Sequence, residues 1–226
     1  MSGVRGPLAI MGGAFDPVHC GHLRTAIEVH EVLRDAELRL VPSAVPPHRE
    51  AHHAAGPLRV RMLEVAVADF DWCGVDDREL RRDGPSWTVL TLEELRAEWP
   101  ERSLCMILGM DAFLGLPEWH RSAELLDLAH IVVAHRPGWR PPADGMLGEL
   151  LARRRVHDAA ELSNSVAGHI YVLAVTQLEI SSSAIRGIIA EGRDPSYLLP
   201  EGVLDVIRES GCYRDQRPNP AKSTTT

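Results

Sequence analysis

Two short stretches of this chain carry residue types and spacings that could do chemistry. The first is Gly12-Gly13-Ala14-Phe15-Asp16-Pro17-Val18-His19-Cys20-Gly21-His22. Its two glycines follow an apolar run and would let the backbone approach a ligand closely. His19 and His22 stand three residues apart where a helical pattern begins. That spacing puts both imidazoles on one helix face, beside the positive end of the helix dipole, where an anion is favoured. The second stretch is Ile180-Ser181-Ser182-Ser183-Ala184-Ile185-Arg186. A serine run caps a helix, and its hydroxyls and free N–H groups can hold an anion with Arg186 close by on the first turn. Other readings stay open for each. The histidines could be an ordinary surface pair, or metal ligands, although Cys20 between them would point away from their shared face. Dinucleotide binding by a G-x-G-x-x-G loop does not fit these glycine positions. Serine-rich caps are common, and most bind nothing.

Composition narrows the chemistry. The chain has 226 residues, 45% of them apolar and 25% charged, with a formal charge of -8 and a mean hydropathy of -0.11. These values fit a soluble globular protein, and the acidic balance disfavours nucleic acid or an anionic membrane surface as a partner. The single lysine is Lys222, near the C-terminus. A lone lysine there excludes Schiff-base chemistry and a Walker A loop, both of which need a lysine in the core of the fold. Phosphate, if bound, must be held by arginine, histidine and backbone N–H groups. The cysteines Cys20, Cys73, Cys105 and Cys212 form no CxxC pair, so neither a disulfide framework nor a zinc ribbon is expected. With no signal-peptide pattern and no apolar run near the ~20 residues of a membrane helix, the expected location is the cytoplasm.

The elements that must position these residues alternate between strand and helix patterns. Strands are expected at Leu8–Met11, Leu38–Val41, Leu104–Leu108, Ile131–Ala134 and Ile170–Val175. Helices are expected over 21–34, around Leu58–Ala66, around Val89–Leu95 with Ser86 or Thr88 as cap, over Ile185–Ile189, and around Val203–Ile207. Continuous apolar runs such as Leu104–Leu108 suit strands covered on both faces. The alternation predicts a doubly wound, Rossmann-like parallel α/β sheet, whose ligands bind outside the carboxyl ends of the strands. Residues 1–214 read as a single domain. Pro137–Pro142 reads as a loop, and the polar tail 215–226 as disordered.

The complete first string closely resembles the G-G-[ST]-F-D-P-x-H-x-G-H signature of the HxGH nucleotidyltransferases, and Ile180–Arg186 resembles their second motif, I-S-[ST]-[ST]-x-I-R. Four further segments resemble the bacterial nicotinate-nucleotide adenylyltransferases, so the likeness runs from about residue 8 to Tyr213. They are Val41–Arg49; Asp77–Leu80 through Pro85-Ser86-Trp87-Thr88 and Thr91-Leu92; Leu108–Phe113 with Leu116–His120; and His135-Arg136-Pro137-Gly138. Three positions depart from the pattern: Ala14 for Ser or Thr, Trp87 for Tyr, and His120 for a second aromatic residue.

The resemblance implies transfer of the adenylyl group of ATP to nicotinate mononucleotide, giving deamido-NAD and pyrophosphate. It implies that His19, His22 and Arg186 are catalytic. Gly12, Gly13, Ala14, Phe15, Asp111, Arg136, Ser182 and Ser183 would hold ATP, with Asp111 accepting from a ribose hydroxyl. His48, Arg49, Ser86, Trp87, Thr88, Trp119 and His120 would hold the mononucleotide, with Trp119 stacked on the pyridine ring. Mg²⁺ would come with ATP and have few protein ligands, no side-chain metal site being expected. The nucleophile is a phosphate oxygen already ionised at neutral pH, so no general base is needed. Positioning and preorganised positive charge should then supply most of the acceleration. A sister enzyme acting on nicotinamide mononucleotide or phosphopantetheine, and a non-catalytic nucleotide-binding protein on the same fold, are the rival readings. The oligomeric state is not legible.

Overall fold

The apolar runs pair into one sheet. The computed structural model describes residues 6–44, 52–176 and 178–214. Strand β1 (Leu8–Gly13) lies inside it, between β2 (Glu37–Pro42) and the central β4 (Leu104–Gly109). Strand β3 (Cys73–Val75) flanks β2, and on the other side β5 (His130–His135) is followed by β7 (Ile170–Ala174) and then β6 (Arg155–Val156). Every neighbouring pair is parallel. The chain winds outward from β1 through β2 to β3, then returns to β4 and winds the opposite way. The loops after β1 and β4 therefore part at the switch point, where such sheets bind ligands.

Alternate residues of each strand feed two separate cores. Ala9 of β1 and Cys105 and Ile107 of β4 face one side, whereas Leu8, Ile10, Leu104, Met106 and Leu108 face the other. This period of two, with both faces apolar, is what covers a parallel sheet on both sides. The first core is closed by α1 (Cys20–Val32), α2 (Gly56–Val67), α8 (Ser182–Ala190) and α9 (Glu201–Ser210), through residues such as Val29, Met62, Ile185 and Ile207. The second is closed by the helices α4 (Thr88–Glu98), α5 (Met110–Leu114), α6 (Leu125–Leu128) and α7 (Gly145–Arg154), through Leu92, Phe113, Leu125 and Leu151. Helix α3 (Arg78–Arg81) completes the set.

Several boundaries differ from the sequence reading. The first helix spans Cys20–Val32 rather than 21–34, because Arg34 and Asp35 adopt positive φ values of 30° and 57° that a helix cannot continue. Strand β7 stops at Ala174. Helix α4 is capped in position by Trp87, without a side-chain hydrogen bond, and not by Ser86 or Thr88. The Ser86 hydroxyl instead accepts from the Ala44 N–H at 2.9 Å. Strands β3 and β6 and helices α3, α5, α6 and α7 have no counterpart in the predicted elements. The strands have three and two residues and α3 has four, too few to set up a periodicity. Among the described residues, no helix is long and apolar enough to cross a membrane. The tail 215–226 lies outside the described residues.

His130 ties the segment before β7 to β5. It is fully buried; its Nδ1 accepts from the His169 N–H at 3.0 Å and its Nε2 donates to the Ser165 carbonyl at 2.9 Å. Burial holds its pKa below the ordinary value, so the folded ring is neutral. The stability it contributes is complete above pH ~6.5 and is lost as the pH falls below that value, because the unfolded ring then takes up a proton more readily. Thermal unfolding of the wild type is expected to show Tm falling between pH 7.5 and 5, and falling less in His130→Gln. Parallel curves for the two proteins would contradict this.

Candidate active site

The two sequence motifs meet above the end of β1. Gly12 and Gly13 close that strand, and a side chain at Gly12 would meet open space, so the backbone there is accessible. The chain then turns through Phe15, whose φ of 47° is left-handed and whose ring is buried. The Phe15 ring lies edge-on to His22, with centroids 5.0 Å apart. His19 occupies the N-cap position of α1, and its ring stacks on that of His22 at a centroid distance of 3.7 Å.

Helix α8 presents the second motif to the first. Ser181 caps it, its hydroxyl accepting from the Ala184 N–H at 3.2 Å. Ser182 donates its hydroxyl to the Pro17 carbonyl at 2.8 Å, and Arg186 donates to the Asp16 carbonyl at 2.7 Å. These two bonds join residues that stand 165 and 170 positions apart. The N–H groups of Ser182 and Ser183 open the helix and, as at any helix start, have no intrahelical acceptor. The start of α1 is different, because the Cys20 N–H donates to the Leu198 carbonyl at 3.0 Å. Part of the anion-binding capacity expected beside the histidines is therefore already used by the protein.

Burial decides the charge of the two histidines. Burial pushes the His19 pKa down to about 4. Burial, reinforced by the neighbouring His19, pushes His22 down to about 3. Both rings are therefore neutral at pH 7. The His22 Nδ1 accepts from the His19 N–H at 3.3 Å, which leaves the ring proton on Nε2 as a donor. The His19 Nδ1 is buried with no partner among the described residues. Such an atom is costly unless something completes it. The preorganised positive charge thus resides mainly in Arg186 and the helix end, with the histidines acting as hydrogen-bonding groups.

The remaining predicted residues fall into two groups. Asp111 is exposed near the start of α5, just beyond β4. Arg136 follows β5 and donates to Glu179 at 3.1 Å, which ties that loop to the approach to α8. Ser86, Trp87 and Thr88 surround the start of α4. Trp87 stacks on His120 with centroids 4.7 Å apart, so the two departures from the family pattern contact one another. Trp119 is half-buried and packs against the second core. Ala14 contributes its backbone carbonyl, which accepts from Arg59 at 2.7 Å. His48 and Arg49 lie outside the described residues.

Two residues that matter here were not singled out from the sequence. Asp16 is buried, and its carboxylate accepts from the His53 N–H, the Ala54 N–H and the Tyr213 hydroxyl. Arg59 is buried too and donates to the carbonyls of Ala14, Ser43 and Ala54. An arginine on the helical pattern around Leu58–Ala66 looks like a solvated face, and only the tertiary fold shows otherwise. Among the described residues no cluster of three or more His, Cys, Asp or Glu side chains could hold a metal ion, and the Asp16 carboxylate is taken up by its three donors.

Comparison with known proteins adds to this geometry. The cytidylyltransferase-like family model matches residues 10–188. The chain is 47% identical to the probable nicotinate-nucleotide adenylyltransferase of Aeromonas hydrophila over 208 residues, covering 92% of this chain and 97% of the relative. It is 48% identical to the protein of the same name from Halorhodospira halophila, covering 91% and 94%. Among solved structures it is similar to Plasmodium falciparum nicotinic acid mononucleotide adenylyltransferase complexed with NaAD, with a TM-score of 0.69, 15% identity, and 92% and 97% of the two chains covered.

Gly21 is the tight point of the histidine pair. A Cβ there would lie 3.1 Å from the His19 ring, closer than ordinary contact. Gly21→Ala would otherwise gain up to ~1 kcal/mol of helix propensity. The variant is therefore expected to keep its Tm within a few degrees while the His19 and His22 ring resonances shift in NMR spectra. Unchanged ring resonances would show that the glycine does not set the pair.

Proposed function

We infer the reaction from one premise: this chain belongs to the cytidylyltransferase-like family, among its nicotinate-nucleotide adenylyltransferases. It transfers the adenylyl group of ATP to nicotinate mononucleotide, releasing pyrophosphate and forming deamido-NAD. The observation that carries this reading is the junction of the two motifs, in which Ser182 and Arg186 grip the backbone of Pro17 and Asp16 directly before His19. Without that junction the phosphate-holding residues of α8 and the histidines of α1 would not share one site.

The mononucleotide phosphate is already an anion, so the chain supplies no base. Its task is to hold two anions in line and to stabilise charge as it moves from the α-phosphorus to the departing pyrophosphate. The neutral His22 donates from Nε2 to an α-phosphate oxygen or the bridging oxygen, and His19 lies beside it. A bound polyphosphate favours the protonated form of both rings, so charge can be taken on as the substrate arrives. Backbone at Gly12, Gly13 and Ala14 lines the phosphates beside the buried Phe15. Ser182, Ser183 and Arg186 hold the β- and γ-phosphates. Asp111 accepts from a ribose hydroxyl, and Arg136 borders the ATP side through Glu179. On the acceptor side His48 and Arg49 reach the mononucleotide phosphate, and Ser86, Trp87 and Thr88 with Trp119 and His120 enclose the pyridine ring. The first N–H groups of α4 are placed to receive its carboxylate.

Family membership supports a dependence on divalent metal in general. The ion would arrive as MgATP, where it would neutralise part of the triphosphate charge. We place the reaction in the cytoplasm.

Two measurements test this reading. Steady-state comparison of acceptors is expected to give nicotinate mononucleotide a kcat/KM at least about tenfold above nicotinamide mononucleotide, a difference of ~1.4 kcal/mol, with no turnover of phosphopantetheine. Preference for either rival acceptor would overturn the assignment. His22→Ala and Arg186→Ala are each expected to lower kcat by about 10²-fold or more while the protein stays folded, as removal of a transition-state donor does. Near-normal turnover in either variant would remove that residue from the mechanism.

A further inference from the structure

Two loops border the site at the carboxyl edge of the sheet, and one buried guanidinium holds the first of them and both ends of the second. Arg59 donates through Nη1 to Ala14 in the loop after β1, at 2.7 Å, and through Nη2 to Ser43 in the loop after β2, at 2.8 Å. Its Nε reaches Ala54, just before its own helix, at 3.2 Å. Arg59 is 2% exposed, and its guanidinium is committed to these backbone carbonyls. A cation buried on carbonyls alone would be poorly compensated. The Asp16 carboxylate compensates it electrostatically, holding the guanidinium in its charged form against the effect of burial.

Asp16 makes the complementary set of bonds. It takes the His53 N–H at 2.7 Å, the Ala54 N–H at 3.0 Å, and the hydroxyl of Tyr213, close to the C-terminal end of the described chain, at 2.7 Å. Its own carbonyl receives Arg186. One side of this assembly is the β1–α1 turn with Arg186, which the proposed function assigns to ATP. The other side is Ser43, His53 and Ala54, with Ala44 bound to Ser86, which it assigns to the mononucleotide. Both ends of the segment that carries His48 and Arg49 are thereby anchored.

We propose that Arg59, Asp16 and Tyr213 are positioning residues that fix the distance between the two substrate-holding sides, and so set the in-line geometry without touching either substrate. This rests on the proposed function for which side holds which substrate. Each side keeps its own ligand donors when the link is loosened, so affinity for the separate substrates should survive while their mutual approach does not. Misplacement of two bound reactants lowers kcat far more than it raises KM. A purely structural role would lower Tm and leave kcat per folded molecule unchanged.

The test uses Tyr213→Phe, which removes one hydroxyl and keeps the ring in the core, and Arg59→Lys, which keeps the charge but loses the fork that spans three carbonyls. Kinetics are measured on folded protein, with ATP and whichever acceptor the wild type turns over, so an error in the acceptor assignment appears in the wild type alone. Both variants are expected to lower kcat about tenfold or more, with KM for ATP and for the acceptor each within about threefold of wild type. Should Arg59→Lys fail to fold, Tyr213→Phe decides. A kcat within twofold of wild type, or a rise in one KM at unchanged kcat, would overturn the proposal.

Discussion

The buried Asp16 carboxylate and the Arg59 guanidinium beside it are the constraint on which this site depends. Neither is exposed by more than 3%, and between them they engage backbone groups of the loops after β1 and β2 and before α2, together with the Tyr213 hydroxyl. Burying two charges is unfavourable unless every remaining hydrogen-bonding position is filled. Here the fillers are loop backbone atoms, which have few other partners. The requirement to satisfy the charges is therefore also what orders the loops. A parallel sheet supplies a rigid edge but leaves its loops free, and at this edge the freedom is removed by one ion-compensated cluster.

The same burial that stabilises the cluster removes charge from the histidines. His19 and His22 stack at 3.7 Å in a place that holds their pKa values near 4 and 3. A stacked pair of imidazolium ions would repel itself and the nearby arginines. A neutral pair avoids that repulsion and leaves an Nε2 donor on His22. Net charge is therefore a poor guide to this protein's ligands. A chain of charge -8 still brings Arg186, a serine-capped helix end and two desolvated imidazoles close together.

Much of this was legible in the sequence because it is local. The strand before Gly12, the His19–His22 spacing and the Ser181–Arg186 cap are each set by neighbours within one turn, and the structure has them where the pattern predicts. The long strands themselves were legible from their continuous apolar runs. What stayed hidden depends on distant partners. Nothing near Arg59 marks it as buried, since its acceptors include Ala14 and Ser43, 45 and 16 positions away. The hydrogen bond of Tyr213 was not legible because its partner Asp16 is 197 positions earlier. The cap of α4 was misplaced for a related reason. Ser86 has the right chemistry for capping, but its hydroxyl goes to Ala44, 42 positions away. Strands as short as β3 and β6 take their identity from pairing with β2 and β7 rather than from their own residues.

Whether this arrangement moves an adenylyl group between two bound phosphates is tested most directly by following the phosphorus atoms. Purified protein is incubated with nicotinate mononucleotide, Mg²⁺ and ATP labelled at either the α- or the γ-phosphorus, and the products are separated. Attack at the α-phosphorus predicts α-label only in the dinucleotide and γ-label only in pyrophosphate, in equal amounts. Label released as inorganic phosphate with ADP, or no transfer of the α-label to the acceptor, would contradict it.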